Sequence, residues 1–115
     1  MLQDVAPRRP PPGIPASTID PFSLEVLRNP FPAHEALREA GPVVWLEKYG
    51  SCAAARHAEV RQILSDPATF CSGRGVGLSD FQREKPWRPP SLVLERDPPD
   101  HDRGAQCSIA RCRRP

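Results

Sequence analysis

Long apolar runs are missing from this sequence, and none approaches the roughly 20 residues that a membrane-spanning helix needs. Residues 1–15 also lack the hydrophobic core of a signal peptide. Hydrophobic residues make up only 38% of the 115, beside 16 prolines and 7 glycines, which leaves little material for a closed core. We therefore expect a cytoplasmic protein with no membrane contact and with reduced cysteines, which folds poorly on its own.

Most of the chain carries no net positive charge, although the formal net charge of the whole sequence is +2. Residues 101–115 hold four of the 16 basic residues and one of the 14 acidic residues, so residues 1–100 carry 12 against 13. This balance excludes nucleic-acid binding through a basic surface for residues 1–100. The sequence shows neither paired carboxylates nor a nucleophile beside a base, so we assign no catalytic residue.

Local patterns predict a helix, a hairpin and a second helix after a disordered leader, rich in proline and arginine, at residues 1–17. Apolar spacing predicts the helices from Pro30 to Ala40 and over His57–Ser65. Between them, the β-branched and aromatic run Val43–Leu46 and the segment Cys52–Arg56 predict the hairpin, with Cys52 as a small buried residue.

The most constrained stretch is Lys85–His101. Its prolines Pro89, Pro90, Pro98 and Pro99 lack backbone donors and push the preceding residues out of the helical region. We therefore predict an extended, rigid loop of the kind that lines a site.

Several segments resemble the bacterial cytochromes P450 and occur in the order found in that family. They are Ile19–Ser23, Leu37–Val44, Ala55–Val60, Phe70–Phe81 and the motif Asp97–Arg103. Phe70–Phe81 and Lys85–Ser91 are similar to the subfamily that oxidises para-substituted benzoic acids. Because unrelated motifs agree in order, the match is specific over residues 19–103.

The resemblance implies an α+β, mostly helical fold for residues 18–103, as the N-terminal fragment of the cytochrome P450 fold. The fragment would contain helix A, the first β-hairpin, helix B, the B–C loop and the start of helix C. A complete relative is a monooxygenase that uses haem, O2 and electrons from a ferredoxin-type donor to oxidise a small aromatic acid. This sequence has no haem-ligand cysteine loop, so we expect the chain alone to be inactive.

By the same resemblance, His101 contacts a haem propionate, Arg88 and Ser91 hold the carboxylate of the substrate, and Leu94 packs on its aromatic ring. A guanidinium matches a carboxylate with its planar fork of donors. The alternative for Arg88 is a surface arginine stacked on Trp87.

Residues 104–115 depart from the family, which has a leucine-bearing amphipathic helix there and an arginine two residues after Arg103. We interpret this tail as out of frame, the result of a frameshift near Arg103 followed by an early stop.

Other hypotheses fit fewer residues. Zinc ligation by His101, Cys107 and Cys112 lacks a fourth ligand, and Gly73–Gly77 lacks the spacing of a phosphate-binding loop. The competing functional class is a non-enzymatic interaction module with a periphery rich in proline and arginine.

Overall fold

The computed structural model of this chain describes residues 9–112, with side chains up to residue 108. The elements in chain order are β1 (Ala16–Ser17), α1 (Leu24–Arg28), α2 (Phe31–Ala40), β2 (Val44–Leu46), β3 (Ser51–Ala53), α3 (His57–Ser65) and α4 (Asp100–Cys112). The chain divides into two compact units, residues 1–62 and 63–115, with the boundary inside α3. This content of short helices and one small sheet is the α+β class that the sequence predicts.

A three-stranded sheet in the order β1-β2-β3 organises the first unit. β1 runs parallel to β2, and β2 runs antiparallel to β3 with Trp45 opposite Cys52. The connection from β2 to β3 closes where the Gly50 N–H donates to the Leu46 carbonyl at 2.9 Å. Gly50 has φ 57°, which glycine adopts without the steric cost that a Cβ would add. The predicted hairpin is confirmed.

The core of this unit is small, and it joins α2 to the hairpin. Leu37 of α2 and Val44 and Leu46 of β2 are buried together. Ile19, Tyr49, Ala53 and Ala55 pack against them. Because burying one large aliphatic side chain contributes roughly 1.5–3 kcal/mol, these few contacts hold α2 on the sheet, and the helix predicted over this segment is confirmed.

Two expectations are wrong in this unit. Ala16 and Ser17, assigned to the disordered leader, form β1, because Pro15 and Ser17 carbonyls accept from the N–H groups of Trp45 and Glu47 at 2.8 and 3.1 Å. Met1 to Arg8 lie outside the described residues. Cys52 is exposed, because it is the middle residue of an edge strand and strand side chains alternate between faces.

The short helix α1 was not anticipated, and two side chains fix its start. The hydroxyl of Ser23 accepts from the Val26 N–H at 3.3 Å as an N-cap. The carboxylate of Asp20 accepts from the Phe22 N–H, the Tyr49 hydroxyl and the Lys48 ammonium. The hydrogen bond from Lys48 is the main reason that the pKa of Asp20 falls to about 2.

The second unit ends in α4, which begins at the Asp97-Pro98-Pro99 motif. The His101 N–H donates to the Asp97 carbonyl at 3.0 Å, so the predicted start of helix C is confirmed. The helix continues past Arg103 to Cys112. A Cβ at Gly104 would lie 2.8 Å from the Leu92 carbonyl, so the glycine permits a close approach of α4 to the loop before it.

In the part of the chain that the structure covers, no helix is long and apolar enough to cross a membrane.

Candidate carboxylate-binding loop

The backbone from Asp66 to Pro99, between α3 and α4, contains no helix or strand. We call its segment Lys85–Asp97 the proline loop. The expectation of an extended loop over Lys85–His101 is wrong at residues 92–95 and 98–99, which form turns, and at residues 100–101, which begin α4. The Ser91 hydroxyl explains the turn at residues 92–95, because it accepts from the N–H groups of Val93 and Leu94 at 3.2 and 3.1 Å.

Arg88 and Glu95 form a bidentate ion pair across this turn. Nη1 of Arg88 is 3.1 Å from Oε2 of Glu95, and Nη2 is 2.6 Å from Oε1. The Ser91 N–H also donates to Oε2, at 2.6 Å. Glu95 is 3% exposed and is the one buried charged residue in the described part of the chain. Three donors of the proline loop therefore converge on one buried carboxylate.

Each member of this ion pair shifts the pKa of the other. The hydrogen bond from Arg88, with a further one from the Ser91 N–H, holds the pKa of Glu95 below its ordinary value. The same contact raises the pKa of Arg88. Both groups are therefore charged at neutral pH, and the pair has no net charge.

The three substrate-binding residues proposed from the sequence lie in the proline loop. Arg88 and Ser91 are brought together by Glu95, while the side chain of Leu94 is exposed. The guanidinium carbon of Arg88 lies 5.4 Å from the ring centroid of Trp87, so the alternative stacking contact is present beside the ion pair.

Glu95 was missed in the sequence analysis. The available signal was a carboxylate seven residues after Arg88 within a segment braced by prolines. The sequence does not reveal the burial of Glu95, because burial depends on the turn at residues 92–95 that brings it back to Arg88.

Asp97 joins the proline loop to residues 72–77, which contain three glycines and which we call the glycine-rich loop. Its carboxylate accepts from the N–H groups of Ser72 and Gly73 at 2.6 and 2.9 Å. A Cβ at Gly73 would lie 2.7 Å from this carboxylate, so the glycine is needed for the contact. The Arg74–Asp80 ion pair and the 2.8 Å hydrogen bond from the Phe81 N–H to the Arg74 carbonyl close the adjoining turn.

His101 lies in the first turn of α4 with a partly exposed side chain. Its Nδ1 is 3.2 Å from a carboxylate oxygen of Asp102, and its Nε2 has no hydrogen-bond partner among the described residues. Because a carboxylate oxygen only accepts, Nδ1 is the donor in this contact. Only the doubly protonated imidazolium would carry a second proton, on Nε2, to donate to an anionic group such as a haem propionate. Among residues 9–108, whose side chains the structure describes, no three side chains of the kinds that ligate metals come together as a metal site requires; Cys112 lies outside them.

Cytochromes P450 are among the relatives that comparison with known proteins finds. The chain is 62% identical over 91 residues to cytochrome p450 CYP199A2 of Rhodopseudomonas palustris, across 79% of this chain and 22% of that protein. It is 33% identical over 93 residues to the vitamin D(3) 25-hydroxylase of Pseudonocardia autotrophica, across 73% of this chain and 21% of the relative. A putative cytochrome P450 123 of Mycobacterium bovis is 28% identical over 87 residues.

These alignments cover most of this chain but a small part of each relative. The chain spans about a fifth of the length of the curated relatives it matches. No family model matches the chain.

Proposed function

Because this chain is a segment of a bacterial cytochrome P450, we propose that it serves a haem-dependent monooxygenase that oxidises a small aromatic carboxylic acid. Haem, when bound in the complete enzyme, supplies the activation of O2. Electrons come from a ferredoxin-type donor in the cytoplasm. The segment alone is inactive, because its sequence lacks the cysteine loop that ligates the iron.

The convergence of donors in the proline loop is the observation that carries the choice of an acid. Arg88 Nη1, Arg88 Nη2 and the Ser91 N–H all lie 2.6–3.1 Å from the oxygens of one carboxylate, that of Glu95. This geometry supports the view that the loop can bind a carboxylate with charge-assisted hydrogen bonds. In the proposed complex, Arg88 and Ser91 hold the carboxylate of the substrate, and Leu94 packs on its ring.

In the proposed enzyme, His101 contacts the cofactor and the proline loop contacts the substrate. In its imidazolium form, His101 would carry a proton on Nε2 as well, and this N–H would donate to a haem propionate at the start of α4 and help to hold the cofactor. Arg88 orients the acid by its charged end, so the opposite end of the aromatic ring is presented for oxidation.

The test is a chimaeric enzyme in which residues 19–103 of this chain replace the matched residues of the Rhodopseudomonas palustris relative. Reduced under carbon monoxide, it should give the red-shifted Soret band of a haem–thiolate centre. Benzoate should change the spin state of its ferric haem at lower concentration than methyl benzoate does.

Two outcomes would count against the proposal. Failure to incorporate haem, under conditions in which the parent relative does so, would contradict the monooxygenase assignment. A normal haem–thiolate band with equal affinity for benzoate and its methyl ester would leave the monooxygenase in place and remove the acid as its substrate.

A further inference from the structure

We propose that Glu95 is an internal competitor for the carboxylate of the substrate, and that it sets how tightly the proline loop binds acids. The side chain of Glu95 occupies the donors of Arg88 and Ser91 that the proposed function gives to the substrate. This inference rests on the proposed function and goes beyond it, since it assigns acid affinity to a residue that contacts the arginine.

The occupied donors can be counted atom by atom. Glu95 takes the edge of the guanidinium formed by Nη1 and Nη2, and the Pro89 carbonyl accepts from Nη1 as well, at 3.1 Å. A guanidinium has five N–H groups, so the Nε hydrogen and the outer Nη2 hydrogen are left. An incoming carboxylate must either displace Glu95 or bind at this second edge.

Displacement of Glu95 is opposed by its burial. At 3% exposure, Glu95 without Arg88 would be a buried charge held by the Ser91 N–H alone. Removing one partner of a buried ion pair is strongly unfavourable, because the remaining charge lacks both water and a counter-ion.

Binding at the second edge is opposed by like charge. Two carboxylates on one guanidinium lie a few ångströms apart in a partly desolvated site, where Coulomb repulsion is weakly screened. Both routes therefore lower the affinity for an acid, and neither penalises a neutral ester.

Two other roles for Glu95 predict different changes in acid and ester binding when its charge is removed. If Glu95 only held Arg88 in position for the substrate, removing its charge would weaken acid binding. If Glu95 only maintained the fold of the loop, removing its charge would change acid and ester binding alike.

The test uses the full 115-residue chain and its variants Glu95→Gln and Glu95→Asp, titrated with benzoate and methyl benzoate at neutral pH. NMR follows the Ser91 amide and the Arg88 Nε–H. Glu95→Gln, which keeps the shape and removes the charge, should bind benzoate about ten-fold more tightly with no change for the ester. Glu95→Asp, which keeps the charge, should stay closer to the wild type.

Unchanged or weaker benzoate binding by Glu95→Gln would overturn the inference, and so would an equal change for acid and ester. If the wild type prefers benzoate and Glu95→Gln gains nothing, only the inference fails. If the chimaeric enzymes that carry the wild-type and the two Glu95 sequences show no spin-state response to benzoate, the proposed function fails with it. Should Glu95→Gln lose the dispersed Ser91 signal, the same three proteins are compared in the chimaeric enzyme through the spin-state change, with the same deciding outcomes.

Discussion

Arg88→Ala in the chimaeric enzyme should weaken benzoate binding by about ten-fold or more and leave methyl benzoate binding nearly unchanged. Losing hydrogen bonds to a charged group costs about 1.5–3 kcal/mol, and ten-fold in affinity corresponds to about 1.4 kcal/mol. The ester carries no charge for the guanidinium to recognise, so its affinity depends on apolar contacts. Spectral titration of the ferric haem with acid and ester measures both affinities.

The ion pair with Glu95 makes a second variant necessary. Arg88→Ala leaves the Glu95 carboxylate without its cation, which destabilises the loop if the charge stays in place. Arg88→Ala combined with Glu95→Gln removes that buried charge and serves as the matched control. If this double variant still binds the acid more tightly than the ester, Arg88 does not bind the carboxylate of the substrate.

The isolated 115-residue chain should form no haem–thiolate centre when it is mixed with haem and reduced under carbon monoxide. The cysteines at positions 52, 71, 107 and 112 do not lie in a sequence like the family's ligand loop. Cys52, Cys71 and Cys107 are exposed to solvent. The cysteine that ligates a haem iron lies instead in surroundings that limit the access of solvent to its sulfur. The expected absorbance spectrum lacks the red-shifted Soret band.

The parent relative, treated in the same way, is the positive control for that experiment. A red-shifted band that disappears when one cysteine of this chain is replaced by serine would show a thiolate ligand within the segment. That result would contradict the expectation that the segment alone is inactive.

The elements predicted correctly are those whose signal is local. The apolar spacing around Leu37 and the stop at Gly41 define α2, and the β-branched and aromatic run before Lys48 defines β2. β1 was missed because a two-residue strand has no pattern of its own and exists through its pairing with β2. The exposure of Cys52 depends in the same way on β3 being an edge strand.

The candidate site divides along the same line. Sequence resemblance singled out Arg88, Ser91, Leu94 and His101, and their roles toward substrate and haem stay predictions. The pairing of Arg88 with Glu95 required the turn held by the Ser91 hydroxyl, which the sequence pattern did not indicate. The departure of residues 104–115 from the family pattern is visible in the sequence, yet the backbone of α4 is helical as far as Cys112; a frameshift there stays a prediction.

A structure of the chimaeric enzyme with benzoate bound tests the central claim most directly, because the claim concerns which atoms meet the carboxylate. The account predicts the benzoate carboxylate within hydrogen-bonding distance of the Arg88 guanidinium, about 2.7–3.2 Å, with Leu94 against the ring. Benzoate bound away from the proline loop, with Arg88 still paired to Glu95 alone, would contradict it.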